Sequence, residues 1–127
     1  AVSGVAERPD LVVGDLSFIS LTLVLPAIVA TVGTSVPLVL LIKPQFEVGR
    51  QGIREGVVRD ADARAEAIMS VLWAAHDVGL AADTIAPSPL AGVHGNLEFL
   101  AVFRPTVGRS PTQWREHVDA LAHARGV

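Results

Sequence analysis

Three ionisable residues stand where short apolar runs begin or end. Asp15 follows LVVG, Lys43 follows PLVLLI, and Glu98 precedes FLAVF. An amine flanked by two carboxylates is a proton-handling set, because the carboxylates orient the amine by hydrogen bonding and fix its protonation. Ligand chemistry in open parallel sheets gathers just beyond the carboxyl ends of the strands. The set therefore exists only if the three runs are strands of one sheet with these residues at a common edge. Each residue also has a plainer reading: a lysine at a strand end is often the chain reaching solvent, and an aspartate before a helix is often a cap.

The elements needed to bring them together are legible. Leu11, Val12 and Val13 follow a proline and stop at Gly14-Asp15, as a short buried strand would. Ser17 or Ser20 then caps a helix running to about Val32, apolar nearly all round, as expected of a helix packed into a sheet. Leu38 to Ile42 reads as a second, fully buried strand, and two aliphatic runs joined by a helix signal a parallel pair in a βαβ unit. Gln45 to Arg59 is a long polar loop with three glycines, of a length that usually serves function. Asp60 caps a helix to about Val78, with Ala65, Ile68, Met69, Leu72 and Ala75 on one face and Gly79 at its stop. Leu80 to Ala86 and Leu97 to Phe103 form an antiparallel pair across SPLAGVHGN, which brings Glu98 to the same edge as Asp15 and Lys43. Ser110, Pro111 and Gln113 begin a last helix, whose stripe of Trp114, Val118 and Leu121 docks on the domain or on a partner.

Composition narrows the function classes. The 127 residues are enough for one domain, and a chain 50% hydrophobic and 18% charged is not a disordered segment. Net charge is −3, without the positive excess that drives autonomous nucleic-acid binding, so any RNA contact needs local loops or another domain. The absence of cysteine excludes disulfides and thiolate metal sites and fits a reducing, cytoplasmic setting. The four histidines lack metal-ligand spacing, so no metal is expected. Leu16 to Ile42 carries no charged side chain, but Pro26, Gly33 and Pro37 cut it into globular lengths, and no membrane span is expected.

Four blocks carry a resemblance: DLVVGDLSFISL, LIKPQFEVGR, GVVRD and SPLAGVHGNLEFL, together spanning about Asp10 to Arg104. In this order they resemble the hemolysin A (TlyA) family, whose methyltransferase domain is FtsJ-like. The resemblance implies a Rossmann-like methyltransferase fold, S-adenosylmethionine as cofactor, and methylation of ribose 2′-hydroxyls of ribosomal RNA. It also implies roles. Asp15, Lys43 and Glu98 match three members of the family's Lys-Asp-Lys-Glu set. Lys43 would contact the ribose hydroxyl and help remove its proton, Asp15 would hold the lysine near the donor methyl, and Glu98 would position the nucleophile. Asp15, Leu16 and Ser17 would border the cofactor. Phe18 could stack on a displaced base, although a buried core phenylalanine is the weightier reading, and Arg50, Arg54 and Arg59 would offer RNA contacts. A ribose hydroxyl is a weak nucleophile, so its methylation needs an in-line donor and a base within hydrogen-bond reach, and desolvation suits a lysine to that task.

The pattern departs from the family at the front. The glycine-rich cofactor loop and the first lysine of the set have no counterpart, nor does the small RNA-binding domain that usually precedes them. The expected architecture is thus α/β: the C-terminal half of a Rossmann-like methyltransferase fold, with parallel strands plus a terminal antiparallel hairpin, flanked by helices. Residues 1–105 would be a partial methyltransferase domain and 106–127 a helical extension. Such a chain would be inactive alone and would expose a sheet edge, favouring self-association through that edge or the last helix. The alternatives are a nonenzymatic RNA- or protein-binding fragment and, less favoured, a membrane-active hemolysin.

Overall fold

The computed structural model describes residues 9–48, 58, 60–89, 92, 95–105 and 107–124. Strand β1 (Val12–Gly14) leads to helix α1 (Leu21–Val32) and strand β2 (Leu38–Ile42), and β1 and β2 pair in parallel, as the βαβ reading requires. Helix α2 (Ala61–Asp77) is followed by the antiparallel strands β3 (Ala82–Pro87) and β4 (Phe99–Phe103), then by helix α3 (Pro111–His123). Strand order is β1-β2-β4-β3, so β4 inserts between β2 and β3 and runs antiparallel to both.

The helix boundaries follow from local chemistry. Ser20 caps α1 by accepting the Thr22 amide, and Asp60 caps α2 by accepting the Asp62 amide. Ser110 and Gln113 close a capping box on α3, with Pro111 in the first turn, where its missing N–H costs nothing. Helix α2 stops at Gly79, whose φ of 88° suits the left-handed turn after Val78.

Burial alternates along the strands. Leu38, Leu40 and Ile42 of β2 and Phe99, Ala101 and Phe103 of β4 face one core with residues from all three helices, whereas Val39, Leu41, Leu100 and Val102 are half-buried. The expectation of a fully buried β2 thus holds for one face only, because the helices form a single layer over that face. Helix α1 differs from expectation in the same way. Only Leu21 and Leu25 are buried, and Leu23 is 72% exposed, since α2 covers just one side of a helix that is apolar all round. Pro26, which cannot donate within the helix, lies on the exposed side. Among the described residues, no helix is long and apolar enough to cross a membrane.

Candidate active site

Parallel pairing sets the carboxyl ends of β1 and β2 at one edge, and β4 begins there. One step beyond the Ile42–Phe99 pair, the register sets Lys43 opposite Glu98; one step beyond Gly14–Leu40, it brings Asp15 alongside Leu41. Close approach matters here, since a Cβ on Gly14 would lie 2.6 Å from the Leu40 side chain.

Lys43 leaves β2 in extended geometry (φ −114°, ψ 98°), as the following Pro44 favours, and one turn of 3-10 helix over Pro44–Phe46 bends the chain away at once. Its amine donates to Asp15 Oδ1 at 2.5 Å and to Ser17 Oγ at 3.1 Å. The lysine side chain is only 12% exposed and the aspartate 64%. An ion pair with one partner in water contributes about 0–1 kcal/mol, so the pair orients the amine more than it stabilises the fold.

Glu98 belongs to a drier set. Its Oε2 accepts the Gln45 side-chain amide at 2.9 Å, and both side chains are buried. Gly92 approaches this carboxylate closely: a Cβ on it would lie 1.9 Å from Glu98 Oε2, so a side chain there would displace it. The Gly92 amide donates to the Asn96 carbonyl at 2.7 Å, and the buried Asn96 Oδ1 accepts the Val58 amide. Gln45 Oε1 is buried with no hydrogen-bond partner among the described residues, a cost of about 1–3 kcal/mol. Asp15, not Glu98, is therefore the carboxylate bonded to Lys43.

Two residues on, Glu47 turns back to α1. Its Oε1 accepts the Ser20 hydroxyl at 2.5 Å and its Oε2 the Leu21 amide at 2.8 Å. Burial pushes the Glu47 carboxyl above its ordinary range, partly offset by the bonds from Ser20 and Leu21. Between Ser17, held by Lys43, and Ser20, held by Glu47, lies Phe18, with φ of 64°, a left-handed backbone that costs a side-chain-bearing residue about 1–2 kcal/mol. The residue is 90% exposed, and its ring lies tilted by 50° to that of Phe46, centroid to centroid 5.1 Å. The reading of Phe18 as a core residue is thus overturned: the left-handed turn leaves it outside, and Leu16 packs against the core instead.

The edge thus gathers Asp15, Leu16, Ser17, Phe18, Lys43 and Glu98, while Arg50, Arg54 and Arg59 lie outside the described residues. Sequence reasoning passed over Gln45, Glu47 and Gly92. The available signal is weak: two polar residues, Gln45 and Glu47, soon after a buried strand, in a motif whose lysine alone points to chemistry. Among the described residues, no group of three or more His, Asp or Glu side chains is placed to hold a metal.

Comparison with known proteins adds a family to this geometry. Residues 2–104 match the FtsJ-like methyltransferase family. TlyA of Mycobacterium tuberculosis, a 16S/23S rRNA (cytidine-2′-O)-methyltransferase, is 41% identical over 107 residues, covering 84% of this chain and 40% of that protein. Hemolysin A of Brachyspira hyodysenteriae is 36% identical over 98 residues, covering 76% of this chain and 41% of that protein. The solved structure of a candidate hemolysin from Streptococcus thermophilus superposes with a TM-score of 0.80 at 36% identity, covering 96% of this chain and 45% of that one. A second, from Lactococcus lactis, gives 0.76 at 34% identity, covering 83% and 50%. The chain therefore spans about two fifths to one half of the length of these relatives.

Proposed function

This chain belongs to the FtsJ-like methyltransferase family, and from that premise we propose that it is the C-terminal half of an enzyme that transfers methyl groups from S-adenosylmethionine to ribose 2′-hydroxyls of ribosomal RNA. The observation that carries the proposal is the Lys43 amine, largely withdrawn from water and held by Asp15 at a strand edge that Glu98 shares. When bound, S-adenosylmethionine supplies an electrophilic methyl group on a sulfonium. The residues at this edge fit such a group in character: the Asp15 carboxylate is largely open to a polar ligand, and Leu16 and Ser17 continue the lip.

In this mechanism the Lys43 amine would hold the ribose hydroxyl and, in its neutral form, accept its proton, while bound S-adenosylmethionine would supply the methyl group. Asp15 and Ser17 keep the amine aimed while this happens. Glu98, fixed by Gln45 and by the close approach of Gly92, positions the nucleophile from the β4 side. Phe18 offers an exposed ring to a displaced base, and Arg50, Arg54 and Arg59 contact phosphates.

By itself the chain binds S-adenosylmethionine weakly and does not transfer methyl groups, and it self-associates through β1 or α3. The chain's span of two fifths to one half of its relatives' length supports the first statement, and the outer side of β1, which has no strand partner among the described residues, supports the second. Calorimetry with the chain alone tests the first, and micromolar affinity would defeat it. In a protein of its relatives' length, Lys43→Ala is expected to lower methyl transfer to ribosomal RNA by about 10²–10⁴-fold. Undiminished transfer would remove Lys43 from the mechanism.

A further inference from the structure

The pentapeptide Lys43–Glu47 does more than deliver a lysine. Its side chains leave in separate directions: Lys43 to Asp15 and Ser17, Gln45 to Glu98, Phe46 to the ring of Phe18, and Glu47 to Ser20 and Leu21. Its backbone is closed on itself, with the Phe46 amide donating to the Lys43 carbonyl and the Glu47 amide to the Pro44 carbonyl, both at 2.9 Å. Segment 15–20 is therefore gripped at both ends by one rigid turn.

We propose that Glu47 is a positioning residue: through the Ser20 hydroxyl and the Leu21 amide it fixes segment 15–20 against the Lys43 turn and so presents the ring of Phe18 beside the lysine. Two observations separate this from ordinary helix capping. First, Ser20 already caps α1, accepting the Thr22 amide at 3.1 Å, so a second acceptor is not needed to start the helix. Glu47 instead arrives from the 3-10 turn after β2 and adds a hydroxyl–carboxylate bond, a charge-assisted contact of the stronger kind. Second, Phe18 combines a left-handed backbone with 90% exposure. Neither is favourable alone, and such a conformation persists only where its surroundings over-determine it. Attachments at Ser17 and Ser20, on either side of Phe18, do so. The raised carboxyl of Glu47 fits this role, since burial imposes a penalty that a solvated cap would avoid.

The inference rests on the methyltransferase reading only for what the ring meets; the latch itself is a property of this chain. The test uses the 127-residue chain with 4-fluorophenylalanine at all four phenylalanine positions, assigned by Phe18→Leu, and fluorine NMR. Glu47→Ala is expected to move the Phe18 resonance more than half way to its unfolded position and abolish its cross-relaxation with Phe46. The buried Phe99 and Phe103 resonances should stay in place. Ser20→Ala should reproduce the shift in part, and Glu47→Gln should retain most of the native position. Should Glu47→Ala fail to fold, Ser20→Ala and Glu47→Gln decide the matter. Unmoved Phe18 and Phe46 resonances overturn the proposal, as do equal shifts at all four rings. Adding a single-stranded ribosomal RNA oligonucleotide separates the two claims. A Phe18 resonance that depends on Glu47 but ignores RNA removes the base contact and leaves the latch. One that responds to RNA but not to Glu47 removes the latch and leaves the contact.

Discussion

The two edges of the sheet are finished differently. Along β3, the Ala82 carbonyl accepts from the Arg109 amide at 2.9 Å and from the Trp114 indole at 3.0 Å, and His117 Nε2 lies 3.0 Å from the Ile85 carbonyl. Arg109 also covers the Trp114 ring at 4.1 Å, so α3 and its lead-in close that edge. Along β1 there are three residues, of which Val13 is 67% exposed; Leu11 just before it is 53% exposed, and the segment beyond adds the exposed Phe18, Ile19 and Leu23. Unpaired, apolar strand edges invite pairing, and proteins usually blunt them. Here the dry, cross-linked side carries the stability, while the lysine stands beside the open side.

The sharpest way to break this contrast is at Trp114. It is 2% exposed and supplies both apolar bulk and a donor to β3, so Trp114→Ala should cost about 3–5 kcal/mol in urea unfolding. Leu23→Ala, on the exposed flank of α1, should change stability by less than about 0.5 kcal/mol. Equal effects at the two positions would mean that stability is spread evenly over both sides.

The closed side was the more legible in the sequence. The Ser110-Pro111-Gln113 start and the Trp114–Val118 spacing announce α3, and Asp60 and Gly79 bracket α2, because capping and periodicity are local. The edge shared by Asp15, Lys43 and Glu98 was also readable, since strand direction alone decides it. What escaped was non-local. Gln45 finds Glu98 53 positions away, and Glu47 finds Ser20 27 positions away, contacts that no periodicity encodes. Phe18 was misjudged for a related reason: an aromatic residue in an apolar stretch reads as core unless its backbone conformation is known.

Two smaller effects sharpen the contrast from the open side. Ser20→Ala removes the cap of α1 and one arm of the Glu47 contact, and should cost about 1 kcal/mol by thermal or urea unfolding. Val13→Lys places a charge on the exposed edge. Its stability effect should stay within about 0.5 kcal/mol, yet sedimentation should show weaker self-association. Association that ignores Val13→Lys would move the contact to α3.

The smallest effect belongs to the far end of α3, and its sign is determined. His123 Nδ1 lies 2.7 Å from the Asp119 carbonyl and Nε2 lies 2.9 Å from Asp62 Oδ1. Both partners are acceptors, so both ring nitrogens must donate, and only the imidazolium can do that. The Asp119 carbonyl first, then the Asp62 carboxylate, raise the His123 pKa above its ordinary 6.5. A folded-state pKa above the unfolded one means that the folded chain binds the proton more tightly. The contribution is therefore fully present below about pH 6.5 and is lost as pH rises through the raised value. The ring is exposed, so water and salt screen the ion pair and the change should be slight. Thermal unfolding between about pH 5.5 and 8 should show a downward slope in wild type that Asp62→Asn flattens. If the two profiles run parallel, the His123–Asp62 contact does not link α2 to α3 in solution, and the two helices are joined there through Arg64 with the Ala122 carbonyl and Arg115 with Glu66.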